Sequence, residues 1–235
     1  MSNRLQLQLD GAPLEFVVRR AIVAGYTGRD ASKVRAHIEE LERQGIPAPE
    51  SVPTQYVIDP SLITTAGEIE IGTHRISGEV EAALLFRSNN LDDALVAAAS
   101  DFTDREEERR SIQRSKEFAK PVSKQVWKYS DVAGCWDAIA SRSWVVREPN
   151  AALYQSGTLA LLYPPPELLA RLKLPQDSSL AGTVILMGTV PLLAKEFQFS
   201  NYFACELETP AHAKLSLECR LLRKSEPPFG SRSGP

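Results

Sequence analysis

The sequence predicts a mostly β domain with a few covering helices, an α+β arrangement. Strand-like runs outnumber helix-like ones, and the helix-like stretches are separated and do not alternate regularly with strands. A doubly wound sheet or a barrel of eight βα units is therefore disfavoured. With 235 residues, 43% of them hydrophobic, the chain can bury a real core near the upper size of one domain. The expectation is a single catalytic domain over 1–225 followed by a loose tail, 226–235, rich in proline, glycine and serine.

In chain order, Leu14 to Ala24 reads as a strand and Asp30 to Arg43 as a short helix stopped by Gly45-Ile46-Pro47. A proline-rich linker, Pro47 to Pro53, follows. Strands are expected at Gln55 to Ile58, Glu68 to Gly72, Glu79 to Phe86 and Asp93 to Ala99, the last alanine-rich enough to be helical instead. Thr103 to Glu106 has capping-box spacing ahead of a charged helix running toward Phe118, with Thr103 read as its cap. Asp131 to Ala140 reads as a helix, Trp144 to Arg147 as a strand, and Pro164-Pro165-Pro166 introduces a helix over Glu167 to Leu172. Thr183 to Met187, Phe197 to Leu207 and Lys214 to Leu222 complete the strands.

Charge and composition narrow the function classes. The net charge of -3 comes from 27 basic and 30 acidic side chains mixed along the chain, so no basic field marks nucleic acid or an acidic membrane as a partner. The opening MSNRLQLQLDG has no apolar stretch long enough for a signal peptide, and no later segment approaches the roughly 20 apolar residues of a membrane helix. A cytoplasmic protein acting on small molecules is the expectation. Cys135, Cys205 and Cys219 are odd in number and far apart, and read as buried small hydrophobes, with a Cys205 to Cys219 bridge as the minor alternative. His74 and His212 read as surface or strand histidines.

Chemistry gathers around Glu79-Val80-Glu81. In an extended strand the period of two puts both glutamates on one face, while Val80, Ala82, Leu84 and Phe86 can face a core. About twenty residues later comes Asp101-Phe102-Thr103-Asp104-Arg105. Three ionised carboxylates packed together repel, and a hard divalent cation, magnesium or manganese, supplies the counter-charge while polarising substrate oxygens. His37 and Glu40 share a helix face, where the carboxylate can orient the imidazole. Lys116 could set a cation against a substrate carboxylate or an enolate, and Arg105 could clamp a carboxylate or pair with a metal-binding acid. Gly188 can turn the chain and expose a backbone N–H or the Thr189 hydroxyl to an anionic oxygen.

In this order the motifs resemble the catalytic domain of the fumarylacetoacetate hydrolase superfamily, most closely a poorly characterised bacterial branch. Gly25-Tyr26 resembles the Gly-x-Asn-Tyr opening without its asparagine, and His37-Ile38-Glu39-Glu40 the His-x-x-Glu pair. Glu79-Val80-Glu81 is similar to the first metal-binding pair, and Asp101 to Arg105 to the segment supplying the third carboxylate. Lys116-Glu117-Phe118, Gln155-Ser156-Gly157-Thr158 and Gly188-Thr189-Val190-Pro191 resemble the later elements. Ala181-Gly182-Thr183 departs from the family, which usually has Gly-Asp there.

The resemblance implies a mixed β-roll, a homodimer and metal-assisted cleavage of 2-oxo or diketo acids. It assigns Glu79, Glu81 and Asp101 to Mg2+ or Mn2+, and His37, Glu40 and Lys116 to catalysis. Tyr26, Arg105, Gln155, Gly188 and Thr189 fall to the substrate, a small carboxylic acid. Hydrolysis of an amide or strained ring on the same scaffold, or noncatalytic binding of a small acid, are the alternatives. No Gly-x-Ser-x-Gly elbow is present for acyl transfer by serine.

Overall fold

The computed structural model describes residues 3–43, 45–72, 74–147, 150–174, 179–194 and 196–223. The expected tail lies outside the described residues. The chain begins β1 (Asn3–Leu9), β2 (Ala12–Val18), β3 (Arg20–Gly25), α1 (Ala31–Arg43), β4 (Thr54–Ile58), β5 (Ile63–Thr64) and β6 (Glu68–Glu70). It continues through β7 (Ile76–Ser77), β8 (Val80–Leu85), β9 (Leu95–Ser100), β10 (Thr103–Asp104), α2 (Ile112–Ser115), β11 (Lys120–Pro121), β12 (Gln125–Lys128) and α3 (Tyr129–Val132). The last elements are β13 (Ala140–Arg147), β14 (Asn150–Thr158), α4 (Pro165–Arg171), β15 (Thr183–Thr189), β16 (Tyr202–Thr209) and β17 (His212–Leu222). No helix among the described residues is long and apolar enough to cross a membrane.

An eight-stranded mixed sheet, in the order β2-β1-β12-β9-β8-β15-β3-β4, packs against a five-stranded sheet ordered β14-β13-β16-β17-β6. Parallel pairs occur at β3 with β15, β1 with β12 and β6 with β17. The architecture is a mixed β-roll with short covering helices. Its centre is β8, buried on both faces: Ala82, Leu84 and Phe86 join one apolar cluster, and Ala83 and Leu85 join another. Two-sided burial explains why the strand is a continuous apolar run broken only by Glu81. The alanine-rich β9 is a strand, and its small side chains let the second sheet approach so closely that Cys205 Sγ lies 3.4 Å from the Ala99 carbonyl oxygen.

Several local expectations are corrected. Leu14 to Ala24 is two strands, split where the Arg19 and Arg20 N–H groups both turn to the Gly182 carbonyl, at 2.8 and 3.2 Å. The charged helix from Thr103 does not form. Thr103 instead pairs with Ser77 in β10, and Asp104 Oδ1 caps the next turn by accepting from the Glu106 and Glu107 N–H groups. Ser111 caps α2. Buried ion pairs accompany the interruption: Arg105 turns inward to Glu79 and Glu108, and Lys116 to Asp101, while Glu106, Arg109, Arg110 and Arg114 stay exposed. The segment expected as one helix from Asp131 starts at Tyr129 and passes into a 3-10 turn, Ala133–Ala138. The stretch from Phe197 is loop until Tyr202. Strands β1, β12 and β14, and the two-residue strands β5, β7, β10 and β11, are additional to the expected set. All three cysteines are free, and Cys205 and Cys219 face Leu217 and Phe203 across the β16–β17 ladder rather than each other. His74 is half exposed, but its Nδ1 stands 2.7 Å from Oδ2 of the buried Asp104.

Gln155 ties the two sheets together. Its Oε1 accepts from the Val80 N–H (2.9 Å) and from Ser143 Oγ (2.8 Å), while Nε2 donates to Thr189 Oγ1 (2.8 Å) and the Val190 carbonyl (2.7 Å). The side chain is fully buried, so no water can replace these bonds. Gln155→Leu leaves buried donors and acceptors unpaired and is expected to lower unfolding free energy by about 2–5 kcal/mol, read by urea denaturation. A loss below about 1 kcal/mol would contradict this keystone role.

Candidate active site

The ends of β8 and β9 bring the acids together. The two strands run antiparallel with Val80 opposite Ser100, and the Asp101 N–H donates to the Glu79 carbonyl at 3.0 Å. On the other side of β8, Thr189 stands opposite Glu81, and an irregularity between Leu186 and Thr189 lets the Gly188 N–H donate to Glu81 Oε2 at 2.7 Å. Gly188 has φ of 93°, and a Cβ there would lie 2.0 Å from Thr27 Oγ1, so only glycine serves. Tyr26, on the loop after β3, also has positive φ (56°), the kind of strain that collects at functional sites.

These residues line a cavity of about 600 Å3. Glu79, Glu81, Asp101, Arg105, Lys116, Tyr26, His37, Gly188 and Thr189 share it; Gln155 and Glu40 do not. Gln155 stands behind the wall, positioning Thr189, whose hydroxyl donates to the Val80 carbonyl at 2.8 Å. Glu40 faces solvent on α1 with its Oε2 3.9 Å from His37 Nδ1, beyond hydrogen-bond length.

Charge pairing organises the cavity floor. Lys116 Nζ donates to Asp101 Oδ2 (2.5 Å) and Thr103 Oγ1 (3.0 Å), and Lys120 Nζ stands 3.3 Å from Asp101 Oδ1. Arg105 pairs with Glu79 at 2.9 Å, with both oxygens of Glu108 at 3.0 Å, and with Ser77 Oγ at 2.6 Å. The Phe197 ring covers its guanidinium at 3.8 Å. Arg105 is thus held internally by acids instead of being free to clamp a substrate.

The ionisation states follow from these partners. Burial raises the Asp101 pKa, but Lys116 and Lys120 overcome it and hold the group at about 2. Burial lowers the Lys116 pKa, while Asp101 and Glu79 raise it further, leaving a firmly charged ammonium. Burial brings Lys120 down to about 8, opposed by Asp101 and reinforced by Lys116. Among the described residues no cation is in contact with Glu81: burial first, and then the Asp101 charge, push its pKa well above the ordinary value. Burial, with Tyr56 nearby, pushes the Tyr26 phenol up to about 12, so it stays a donor.

Among the described residues, no three His, Cys, Asp or Glu side chains form a set that could hold a metal as they stand. The expected carboxylate triad shares a cavity, but Glu79 is turned to Arg105 and Asp101 to the lysines, because those cations supply counter-charge. The donor chemistry still fits a hard divalent ion. Asp101 Oδ1 is buried without a hydrogen bond, and Glu81 is a buried carboxyl whose ionisation, helped by the Gly188 N–H and Lys116 but outweighed by burial, an added positive charge would favour.

Sequence reasoning missed Lys120, Glu108, Tyr56 and Phe197. A lone lysine in the apolar run Phe118-Ala119-Lys120-Pro121-Val122 was a usable signal for a buried cation. Phe197 gave none, since its partner Arg105 is distant in sequence.

Glu81 sets a sign for pH dependence. A carboxyl whose folded pKa is raised binds its proton more tightly in the folded state, so this contribution is present at low pH and is lost as pH rises above 4.5, its unshifted value. In chelator-treated protein, Glu81→Gln is expected to melt at a higher temperature than the parent by a margin widening from about pH 5 to pH 8. Each kcal/mol corresponds to about 2–4 °C at this chain length. A margin independent of pH in scanning fluorimetry would refute the assignment.

Residues 24–220 match the family described as "Protein of unknown function (DUF2848)". No curated protein sequence matches the chain. Among solved structures, a candidate fumarylpyruvate hydrolase from Burkholderia cenocepacia superposes with a TM-score of 0.64 at 17% identity, over 96% of this chain and 94% of that one. A candidate fumarylacetoacetate isomerase/hydrolase from Oleispira antarctica gives 0.64 at 19%, over 92% and 99%. The fumarylpyruvate hydrolase of Pseudomonas aeruginosa, solved in complex with Mn2+ and pyruvate, gives 0.62 at 14%, over 94% and 97%. At such identities the likeness establishes architecture. The chain belongs to the DUF2848 family and has the fumarylacetoacetate-hydrolase fold.

Proposed function

We propose that this protein is a divalent-metal-dependent hydrolase or lyase of a small 2-oxo or diketo carboxylic acid. The observation that carries this reading is the meeting of Glu79, Glu81 and Asp101 with Lys116 in one cavity. It is supported by the fold shared with a fumarylpyruvate hydrolase that binds Mn2+ and pyruvate. Glu79, Glu81 and Asp101 would hold Mg2+ or Mn2+. When bound, the cation supplies Lewis-acid polarisation of the 2-oxo group and charge stabilisation for an enolate oxygen.

The chain's own groups do the rest. Lys116, an ammonium fixed by Asp101 and Thr103, neutralises negative charge on the substrate. His37 takes the proton of the attacking water, and Glu40, 3.9 Å from its Nδ1, would come into hydrogen-bond reach of the ring only as α1 settles on the substrate. In hydrolysis of an acylpyruvate, the water hydroxyl bonds to the acyl carbon as the carbon-carbon bond breaks. The proton passes to the departing carbon, releasing a carboxylic acid and pyruvate.

Tyr26 offers a protonated hydroxyl to a substrate oxygen, and Gly188 and Thr189 shape the wall beside Glu81. Gln155 and Arg105 act as positioning residues, for Thr189 and Glu79 respectively. Helix α1 lies over the cavity through Val34, His37 and Leu41, with none of its residues fully buried, which suits a lid that settles on bound substrate and excludes water. Such an enzyme works as one domain over 1–225, as a cytoplasmic homodimer, without nucleic acid or membrane.

Chelator-stripped protein assayed on oxaloacetate, acylpyruvates and small cyclic amides, with added Mg2+ or Mn2+, tests the proposal. Turnover of a keto acid should require the metal, fall below detection in Glu81→Ala, and drop about 100-fold in His37→Ala with folding retained. Turnover that survives both substitutions, or that ignores the metal, would sink the proposal.

A further inference from the structure

Granting a 2-oxo acid bound at the carboxylate cluster, the rest of the cavity says what the far end of that acid must be. Among the described residues, every lysine and arginine lining the cavity already has a carboxylate partner. Arg29 makes a bidentate pair with Asp137 and also donates through Nε to the Leu162 carbonyl at 2.5 Å. Arg105 is enclosed by Glu79, Glu108 and the Phe197 ring. Lys116 is committed to Asp101. Lys33, at the mouth, lies 3.7 Å from Asp30 with its side chain 80% exposed, and a solvated cation of this kind discriminates little.

The groups beyond the charged floor disfavour a second anion. Glu108 lines the cavity with its side chain only 15% exposed, and its charge contributes to raising the pKa of both Tyr26 and Tyr56. One guanidinium, Arg105, serves both Glu79 and Glu108, so a second substrate carboxylate would meet a net negative charge with no uncommitted buried cation among the described residues lining the cavity. Around it, Val34, Leu41, Ile112, Leu161, Leu192 and Phe197 form an apolar wall. The Tyr26 and Tyr56 hydroxyls stay protonated, since burial raises both, and can serve an uncharged oxygen.

We infer that the acid this protein accepts is a 2-oxo monocarboxylate whose far end is uncharged and largely apolar, a short chain or ring seated on the wall between α1 and Phe197. Glu108 selects against dicarboxylates such as fumaryl-type keto acids.

The test uses a matched pair of equal carbon number, 2-oxohexanoate and 2-oxoadipate, titrated calorimetrically into the full chain with Mg2+ present. 2-Oxohexanoate should bind at least about tenfold more tightly. Glu108→Gln should narrow the ratio by strengthening 2-oxoadipate. Leu161→Lys, at an exposed position that leaves Arg105 and its partners intact, should strengthen 2-oxoadipate by about fivefold or more. Equal or tighter binding of 2-oxoadipate to the parent protein overturns the inference while leaving the keto-acid reading standing, and so does a Leu161→Lys variant with unchanged preference. Failure of both acids to bind, together with an inactive turnover panel, removes the keto-acid reading and the inference with it.

Discussion

Asp101 is 1% exposed and fully charged, a state that costs several kcal/mol unless positive groups lie against it. Two do. Lys116 takes one carboxylate oxygen and Lys120 approaches the other, while Lys120, itself without exposed surface, also donates to the Phe102 and Phe118 carbonyls. Satisfying this one carboxylate fixes the end of β9, the turn that follows it and the segment from 116 to 120 against each other. Arg105 does the same for Glu79 and Glu108 a few residues away. The cavity floor is therefore also a structural joint, and its geometry cannot relax without uncovering buried charge.

The fold supplies the place for that joint. Strand β8 is buried on both faces, and where its apolar run begins, Glu81 is inserted beside the irregular end of β15. The missing Cβ of Gly188 lets the β15 backbone and Thr27 approach closely enough to present an N–H to the carboxyl. Among the described residues, Glu81 is the member of the cluster without a cation of its own, and that asymmetry makes its protonation responsive to anything positive entering the cavity.

Two-sided burial made the central strands legible from sequence, because β8, β9 and β15 need apolar residues at successive positions. Helix α1 was legible for a different reason: Asp30 caps it through the Ser32 and Lys33 N–H groups, and Gly45 at φ 85° ends it with paired bonds from Gly45 to Glu42 and from Ile46 to Leu41. The run from Arg105 misled because charges at helical spacing signal a solvated helix face, whereas here Arg105 and Glu108 pair inside the protein. Strand β1 carries its own signal in the alternation of Leu5, Gln6, Leu7 and Gln8. For the site, motif order located the acids and Lys116, but partner choice is three-dimensional. Nothing local says that Phe197 covers Arg105, or that Gln155 spends all its hydrogen bonds on the framework.

Helix α1 closes its own backbone hydrogen bonds at both ends yet buries none of its side chains, so it is complete as secondary structure and incomplete as tertiary structure. Its apolar stripe, Val34, Ile38 and Leu41, is only partly covered by protein. An apolar guest in the cavity would become the missing hydrophobic neighbour of that stripe. Recognition by such a surface is a late increment of folding, in which the ligand extends the apolar surface buried beneath the helix and carries the negative heat-capacity change of apolar burial with it.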